Sequence, residues 1–392
     1  MRWLPFAVFL AIALALVGGL HYYAWARLVR DPQLPAWLAR SLAALLAVLA
    51  VGVVAVPVLA RLLQTEAMRP LIWAALLWMG VGFLTVAMLG IADLGRLLFA
   101  GAARLAAFFG DRPLAPLDPE RRVFLARAFA GGAGAMAAGL SVLGIKSALA
   151  AVKVREVPVR LKNLPAHLAG TKLVQISDVH IGPLLRKEWL EGVVERIRAL
   201  APDLVAITGD LVDGSVRELE EHVAPLAAIP SRLGTFFVTG NHEYYSGAEA
   251  WLRHLPKLGI RPLQNERVRV CEGLEIAGIN DLSARGRDGH APDLDKALAG
   301  RDTSCALVLL AHQPRQFGEA ARKGVDLTLS GHTHGGQIWP FSWLVALTQP
   351  FLAGLHRRGD SQLYVSRGTG FWGPPLRVFA PAEITLLTLL PA

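Results

Sequence analysis

The sequence predicts an α-helical transmembrane region at the N-terminus, followed by a layered α/β domain. Long uncharged apolar segments fill the first third of the chain, whereas short β-type runs alternate with amphipathic helical runs from Val157 onward. Several of the short runs end in Asp, Asn or His, a pattern typical of polar side chains at one edge of a sheet. We therefore expect residues 1–152 to form the membrane region and residues 153–392 to form the α/β domain.

Composition supports this division of the chain. The chain has 392 residues and is therefore long enough for more than one domain. Its hydrophobic content of 53% is too high for a wholly soluble protein. The net charge of +9 is unevenly distributed, because residues 1–162 carry +10 and the remainder carries −1. The basic excess therefore indicates membrane topology, and no nucleic-acid partner is expected. No protein partner is evident from the sequence.

Three segments predict membrane-spanning helices. Residues 3–26, 41–60 and 70–92 contain no charged residue, and about 20 apolar residues suffice to cross the hydrocarbon core as a helix. None of the three has a polar face, which argues against buried helices of a soluble protein.

A fourth segment differs in composition. Residues 128–145 are rich in Gly and Ala, follow the pair Arg121-Arg122, and precede Lys146. A twin arginine before a weakly apolar run, with small residues at Ala148 and Ala150, resembles a twin-arginine export signal. The alternative is an ordinary fourth transmembrane helix. Both interpretations place the arginine pair in the cytoplasm and the residues after 146 outside.

Loop charges predict the orientation. The second loop has only Arg61 and Arg69, whereas the first and third loops hold more arginines: Arg27, Arg30 and Arg40, and Arg96, Arg104, Arg112, Arg121 and Arg122. Because positive loops stay in the cytoplasm, we expect a multi-pass protein of the cell membrane with an extracytoplasmic C-terminal domain.

The two cysteines carry a weaker signal. Cys271 and Cys305 match no cysteine-based zinc spacing. We interpret them as unrelated thiols, with a single disulfide as the alternative if this half of the chain lies outside the cytoplasm.

Five clusters of potential metal ligands follow apolar runs of the α/β domain. They are Asp178-Val179-His180, Gly209-Asp210, Gly240-Asn241-His242-Glu243, Ala311-His312 and Gly331-His332-Thr333-His334. Imidazoles combined with carboxylates suit Mn, Fe, Zn or Co better than calcium, which prefers oxygen ligands. Two Asp, one Asn and four His are too many for one tetrahedral ion, so we expect two divalent ions that share Asp210. Ligands two residues apart would point to the same side of an extended chain.

The ordered motifs D-x-H, GD-x-x-D, GNHE, H and GHTH are similar to those of the calcineurin-like metallophosphoesterases. The segments GHTHGGQI, LYVSRGTG and PAEITLLTL resemble the bacterial membrane-associated branch that includes YkuE and YaeI. The resemblance covers residues 155–392. It implies a four-layer αββα fold with the metals at the sheet edge.

The same resemblance implies a role for each motif residue. One metal would be held by Asp178, His180, Asp210 and His334. The second would be held by Asp210, Asn241, His312 and His332. His242 would contact the phosphate and protonate the leaving oxygen, with Asp213 and Glu243 orienting the site.

The expected reaction is two-metal-dependent hydrolysis of a phosphomonoester, phosphodiester or pyrophosphate by a metal-bridging hydroxide at the membrane surface. One alternative is a hydrolase of a lipid-linked phosphate. The apolar residues 338–345 and 350–352, next to the last ligand, favour it if they form a lip that faces the bilayer, but not if they pack as core. A metal-dependent sensing or binding module is a further alternative, against which the intact His242 argues.

Overall fold

The computed structural model describes residues 3–63, 65–109, 118–287 and 289–392. Arg112, one of the arginines of the third loop, lies outside the described residues. The chain divides into two compact units, Met1–Ile145 and Lys146–Ala392. We call them the helical unit and the α/β unit.

Four long helices dominate the N-terminal part of the chain. They are α1 (Trp3–Trp25), α2 (Ala36–Leu63), α3 (Arg69–Phe109) and α4 (Pro119–Leu149). All four segments are long and apolar enough to cross a membrane. Pro57 lies inside α2 without ending it.

Helix α3 is longer than the apolar segment that predicts it. It continues to Phe109, so Asp93 lies within the helix and not at its end. The Asp93 carboxylate accepts hydrogen bonds from Tyr23 Oη and Arg27 Nε of the N-terminal segment, both at 2.7 Å. An apolar helix therefore tolerates this charge because it is paired within the helical unit.

The described part of the α/β unit contains two six-stranded mixed sheets. The first has the order β1-β12-β2-β3-β4-β5 and the second the order β10-β11-β9-β8-β7-β6. The strands are β1 (Lys153–Leu161), β2 (Thr171–Ile176), β3 (Leu204–Ile207), β4 (Thr235–Phe237), β5 (Ile260–Pro262), β6 (Glu266–Cys271), β7 (Leu274–Gly278), β8 (Ala306–Leu310), β9 (Leu327–Ser330), β10 (Gly354–Arg358), β11 (Ser361–Val365) and β12 (Glu383–Pro391).

Seven helices accompany the sheets. They are α5 (Lys187–Ala199), α6 (Val216–Val223), α7 (Asn241–Ser246), α8 (Ala248–His254), α9 (Leu294–Leu298), α10 (Phe317–Arg322) and α11 (Phe341–Thr348) in the described α/β unit.

The alternation of side chains along β3 shows how the layers form. Leu204 and Ala206 enter a core shared with the second sheet, whereas Val205 and Ile207 enter the core beneath α5 and α8. Both faces of the strand are buried, which explains its continuous apolar run. A third core packs α9 and α10 against the outer face of β7 and β8. The predicted four-layer αββα arrangement is confirmed.

Some elements are not predicted from the sequence. Strand β1 is missed because it carries alternating charges and Pro158, features of an edge strand. It pairs in parallel with β12 over its full length, from Lys153 opposite Glu383 to Leu161 opposite Pro391. Strands β5 and β10 and helices α7, α9 and α11 are also missed, and all are between three and eight residues long.

The two cysteines are free thiols in this fold. Cys305, just before β8, is buried, and Cys271 ends β6 in a half-buried position. Burial raises the pKa of both thiols, so they remain protonated and unreactive near neutral pH.

Substitution of a side chain between the two sheets tests this packing. Leu173 of β2 is fully buried in the shared core, so Leu173→Ala should lower the free energy of unfolding of the α/β unit by about 2–5 kcal/mol. Leu355→Ala, at a position that is 43% exposed, is the matched control and should change it by less than about 0.5 kcal/mol. Urea unfolding of the full chain in detergent, followed by near-ultraviolet circular dichroism, measures both. Equal effects would contradict the sandwich core.

Candidate metal centre

The potential ligands follow the carboxyl ends of strands from both sheets. In the first sheet, β2, β3 and β4 are parallel neighbours, and Asp178, Asp210 and Asn241 follow them. In the second sheet, β8 and β9 are parallel neighbours, followed by His312 and by His332-Thr333-His334. Because parallel strands end at the same edge of a sheet, the topology gathers these side chains at one place.

One group consists of Asp178, His180 and His334. Their nearest potential ligand atoms all lie within 4.8 Å of one another. The Nε2 atoms of the two histidines are 3.1 Å apart, and His334 Nε2 is 3.5 Å from Asp178 Oδ1. All three side chains are buried.

A second group consists of Asp210, His312 and His332, also within 4.8 Å. Asn241 belongs with it, since its Oδ1 lies 3.0 Å from His332 Nδ1 and 3.3 Å from His312 Nε2. The carbonyl of Thr208 accepts a hydrogen bond from His312 Nδ1 at 2.7 Å, which leaves His312 Nε2 free to act as a ligand.

Asp210 lies between the two groups. Its Oδ2 is 3.3 Å from His312 Nε2 and 3.9 Å from His180 Nε2. The structure therefore gathers the seven residues predicted as metal ligands in one place, with Asp210 between the other six.

The backbone around these residues is not extended, contrary to the expectation for ligands two residues apart. Asp178, His180, Asp210, His332 and His334 all have positive φ, between 50° and 71°. Asp and His enter this region more readily than most residues, but each entry costs roughly 1–3 kcal/mol. The side chains converge because the chain turns sharply after each strand.

Two glycines permit the close approach of these turns. A methyl group on Gly331 would lie 1.9 Å from Ser177 Oγ and 2.1 Å from Asp178 Oδ2. A methyl group on Gly240 would lie 2.2 Å from Asp210 Oδ1. No larger residue fits at either position without moving a potential ligand.

Glu243 holds the turn after β3. It is fully buried, and its carboxylate accepts hydrogen bonds from the backbone N–H groups of Gly240, Asp210 and Leu211 at 2.6–3.0 Å. Burial and the nearby Asp210 raise the pKa of Glu243 to about 7 despite these donors. Glu243 thus braces the site.

Asp213 joins two histidines. Its Oδ1 is 3.0 Å from His180 Nδ1 and 2.6 Å from His242 Nδ1. Burial acts to raise the pKa of Asp213, but these two histidines hold it below its ordinary value. An ionised carboxylate accepts both hydrogen bonds, so both rings donate from Nδ1 and present Nε2 to the site.

Charge within the site is strongly coupled. Burial alone would lower the pKa of His180, but nearby carboxylates, Asp213 foremost, raise it to about 9. Burial would raise the pKa of Asp210, yet His312 holds it below its ordinary value. Burial and the charge of His312 lower the pKa of His332 to about 4. The raised pKa values of His180 and His312 thus favour positive charge beside the ionised carboxylates of Asp210 and Asp213.

Several residues near the site are not predicted from the sequence. The buried Arg377 directs its Nη2 toward His334 Nδ1 at 3.3 Å and donates through Nε to the carbonyl of Gly370. The rings of Tyr245 and Trp372 lie 5.3 and 5.9 Å from the ring of His242. Tyr245 and Trp372 follow closely after the motifs N-H-E and G-T-G. This proximity in sequence is the one feature that could have indicated their place near the site.

The donor set fits divalent metal ions. Two nitrogens that each lie about 2.1 Å from one ion are roughly 3.0–3.4 Å apart, and the facing nitrogens of His180 and His334 are 3.1 Å apart. Carboxylate, amide and imidazole donors together suit a first-row transition metal.

Comparison with known proteins decides the family. Residues 171–336 match the sequence model of the family described as calcineurin-like phosphoesterase. YkuE of Bacillus subtilis, an uncharacterized metallophosphoesterase, is 30% identical over 287 residues, which cover 69% of this chain and 97% of the relative. The chain belongs to the calcineurin-like phosphoesterase family. The predicted family is therefore confirmed.

Other relatives within the calcineurin-like phosphoesterase family differ in length. An uncharacterized metallophosphoesterase of Helicobacter pylori is 45% identical over 63% of this chain and 66% of the relative. The chain thus spans just under two thirds of that relative. A transmembrane protein with metallophosphoesterase domain from Bos taurus is 39% identical over 74% of this chain and 68% of its own length.

The close approach at Gly331 gives a test of the site. Gly331→Ala should weaken manganese binding by about 10–100-fold, because the methyl group displaces Asp178. Gly192→Ala is the matched control: this glycine lies in α5 with open space around it, so the substitution should leave binding unchanged. Metal content after equilibrium dialysis distinguishes the two variants. Unchanged manganese binding in Gly331→Ala would show that Asp178 is not a metal ligand.

Proposed function

We propose that the α/β unit hydrolyses phosphate esters with two divalent metal ions at the shared edge of its sheets. One ion would be held by Asp178, His180, Asp210 and His334, and the second by Asp210, Asn241, His312 and His332. The observation that carries the proposal is the position of Asp210, whose Oδ2 is 3.3 Å from His312 and 3.9 Å from His180. Membership of the calcineurin-like phosphoesterase family supports the same reaction class.

His242 is the proposed general acid. Its Nδ1 donates to Asp213 at 2.6 Å, so Nε2 remains for a substrate oxygen. Its side chain is 15% exposed, whereas that of His180 is 1% exposed. His242 can therefore contact a phosphate group and protonate the leaving oxygen while Asp213 fixes the orientation of its ring.

Two divalent ions, when bound, activate water as a nucleophile and neutralise the charge of phosphate oxygens during in-line displacement. Mn, Fe, Zn or Co would suit the donor set. Asp178 and Asp210 contribute fixed negative charge to hold them, and Glu243 braces the turn that carries Asp210.

The substrate class proposed is a phosphodiester, phosphomonoester or pyrophosphate. A lipid-linked phosphate ester is the second candidate, favoured by one observation. No residue of α11, which follows His334 closely in the chain, is buried. Ile338 before the helix is buried and Phe351 after it packs against Phe317, so only the α11 part of this apolar stretch stays outside the core.

Exchange of the central carboxylate tests the reaction. Asp210→Asn should lower manganese-dependent hydrolysis of a chromogenic phosphodiester by more than about 100-fold, since even outer-shell changes cost up to that much. The control Asp295→Asn alters a carboxylate that is 81% exposed and should retain full activity. Both variants are assayed as purified full chains beside a chelator-treated sample. Equal rates in the two variants, or hydrolysis that persists after chelator treatment, would contradict the two-metal mechanism.

We further propose that residues 1–152 form a multi-pass membrane region and that the α/β unit is extracytoplasmic. The excess of arginines in the first and third loops supports this orientation. Helix α4 runs unbroken from Pro119 to Leu149, so it suits either a fourth transmembrane helix or the anchor of a twin-arginine signal.

Conservative exchange of the arginine pair separates these two roles of α4. If Arg121-Arg122 is a twin-arginine signal, the double variant Arg121→Lys, Arg122→Lys should abolish export of a reporter fused after Ala392. The double variant Arg96→Lys, Arg104→Lys makes the same charge-conserving exchange at two arginines of α3 and should export normally. Export of both variants would leave the topology intact and eliminate the twin-arginine signal.

A further inference from the structure

An exposed apolar surface lies on α11 and on two segments near the C-terminus. We define it by Trp343, Leu344, Leu347, Trp372 and Phe379, and call it the apolar surface. Leu347 is 83% exposed, Phe379 73% and Trp343 59%. Most of the large apolar side chains that are exposed in the described α/β unit lie between residues 341 and 379. Single exposed residues of this kind are ordinary, but a cluster marks an interaction site.

Ring contacts connect the members of this surface. Trp339 is the link, because its ring centroid lies 5.4 Å from that of Trp343 and 6.1 Å from that of Phe379. Leu344 and Leu347 are three residues apart on α11 and so share one side of the helix. Trp343 and Phe379 therefore flank Trp339, and Leu344 and Leu347 continue the patch along α11.

Contacts at both ends hold α11 in place. Ser342, in the first turn of α11, packs closely on Gly336. A methyl group added to Gly336 would lie 2.4 Å from Ser342 Cβ. Thr333 Oγ1 donates to the carbonyl of Leu352 at 2.6 Å, four residues beyond the helix. The backbone N–H of Val378 donates to the carbonyl of Gln337 at 2.8 Å. The helix is thus fixed on the turn that carries His334.

The same turn positions Trp372. The side chain of Gln337 is buried, and its amide donates to the carbonyl of Trp372 at 2.8 Å while its Oε1 accepts from the Trp372 N–H at 3.0 Å. The Trp372 ring is 53% exposed and lies 5.9 Å from the ring of His242. The apolar surface therefore extends to the edge of the metal centre.

The chemistry of the surface fits a lipid bilayer. Residues 338–355 contain no charged residue, and the exposed Arg357 and Arg358 follow after His356. Tryptophans beside an apolar face, with arginines at its margin, are typical of segments that lie in the headgroup region of anionic membranes. The chain also carries four helices of membrane-spanning length, so a bilayer is within its reach.

We propose that α11 inserts the apolar surface into the interface of the bilayer that holds the helical unit. The bilayer is the partner, and Trp372 then lies at the boundary between membrane and metal centre. The proposal concerns binding alone and does not depend on hydrolysis.

A fluorescent label on α11 tests the insertion. In a full chain with Cys271→Ser and Cys305→Ala, an environment-sensitive dye is attached at Leu347→Cys, or at Leu344→Cys as a second position. The control is Thr303→Cys, which is exposed and precedes β8, at the end of that strand opposite His312. Each protein is reconstituted into vesicles of phosphatidylcholine and phosphatidylglycerol in equal amounts.

Insertion should shift the emission of dyes at 344 and 347 to shorter wavelength. Lipids spin-labelled near the headgroup should quench both dyes, while the dye at 303 remains quenchable only by aqueous iodide. A dye at 347 that behaves like the dye at 303 would overturn the proposal. A blue shift without quenching by spin-labelled lipid would also overturn it, since a second copy of the chain would then cover α11.

A paired substitution supplies a functional readout. Trp343→Ser with Leu347→Ser should leave the hydrolysis of a soluble chromogenic phosphodiester unchanged and lower the affinity of α11 for the vesicles, seen as loss of quenching at Leu344→Cys. Loss of soluble hydrolysis in the wild-type chain as well would refute the proposed reaction and leave the bilayer contact standing. Unchanged quenching in the variant would refute the contact.

Discussion

The site depends on how the chain leaves each strand. Five of the seven potential ligands have positive φ, a conformation that L-residues avoid and that costs roughly 1–3 kcal/mol each time. The hydrogen bonds that Glu243 accepts from three backbone N–H groups, and the one that Asp178 accepts from the His332 N–H, offset part of this cost. These strained turns bring the other six potential ligands around Asp210.

Much of this site could be predicted from sequence because its information is local. Each motif stands directly after an apolar run, and parallel strands end at one edge of a sheet. The conformation of the motifs could not be predicted, since positive φ depends on how Gly240 and Gly331 pack against the opposite turn. The contact of Arg377 with His334 could not be predicted either, because the two residues are 43 positions apart and meet only in the folded chain.

The fold was predictable where strands are buried on both faces. Continuous apolar runs such as those of β3 and β8 predict buried strands, whereas the charged edge strand β1 resembles a linker in sequence. Helix α11 shows the opposite difficulty. Its apolar composition is that of core, and only the arrangement around Gly336 and Thr333 turns it outward. Composition alone does not separate a buried helix from one that faces lipid.

The pairing of β1 with β12 sets the order in which the α/β unit can form. The first strand after α4 is parallel to the last strand of the chain and in register with it from Lys153 to Leu161. β12 also lies between β1 and β2 in the sheet. Strand β2 can pair early with β3, whereas β1 has β12 as its only neighbour among the described strands and must wait for a partner made more than 200 residues later. A chain cut short before β12 would lose the strand that joins β1 to the rest of that sheet. It would also lose the carbonyl of Glu383, which accepts a hydrogen bond from Thr369 Oγ1.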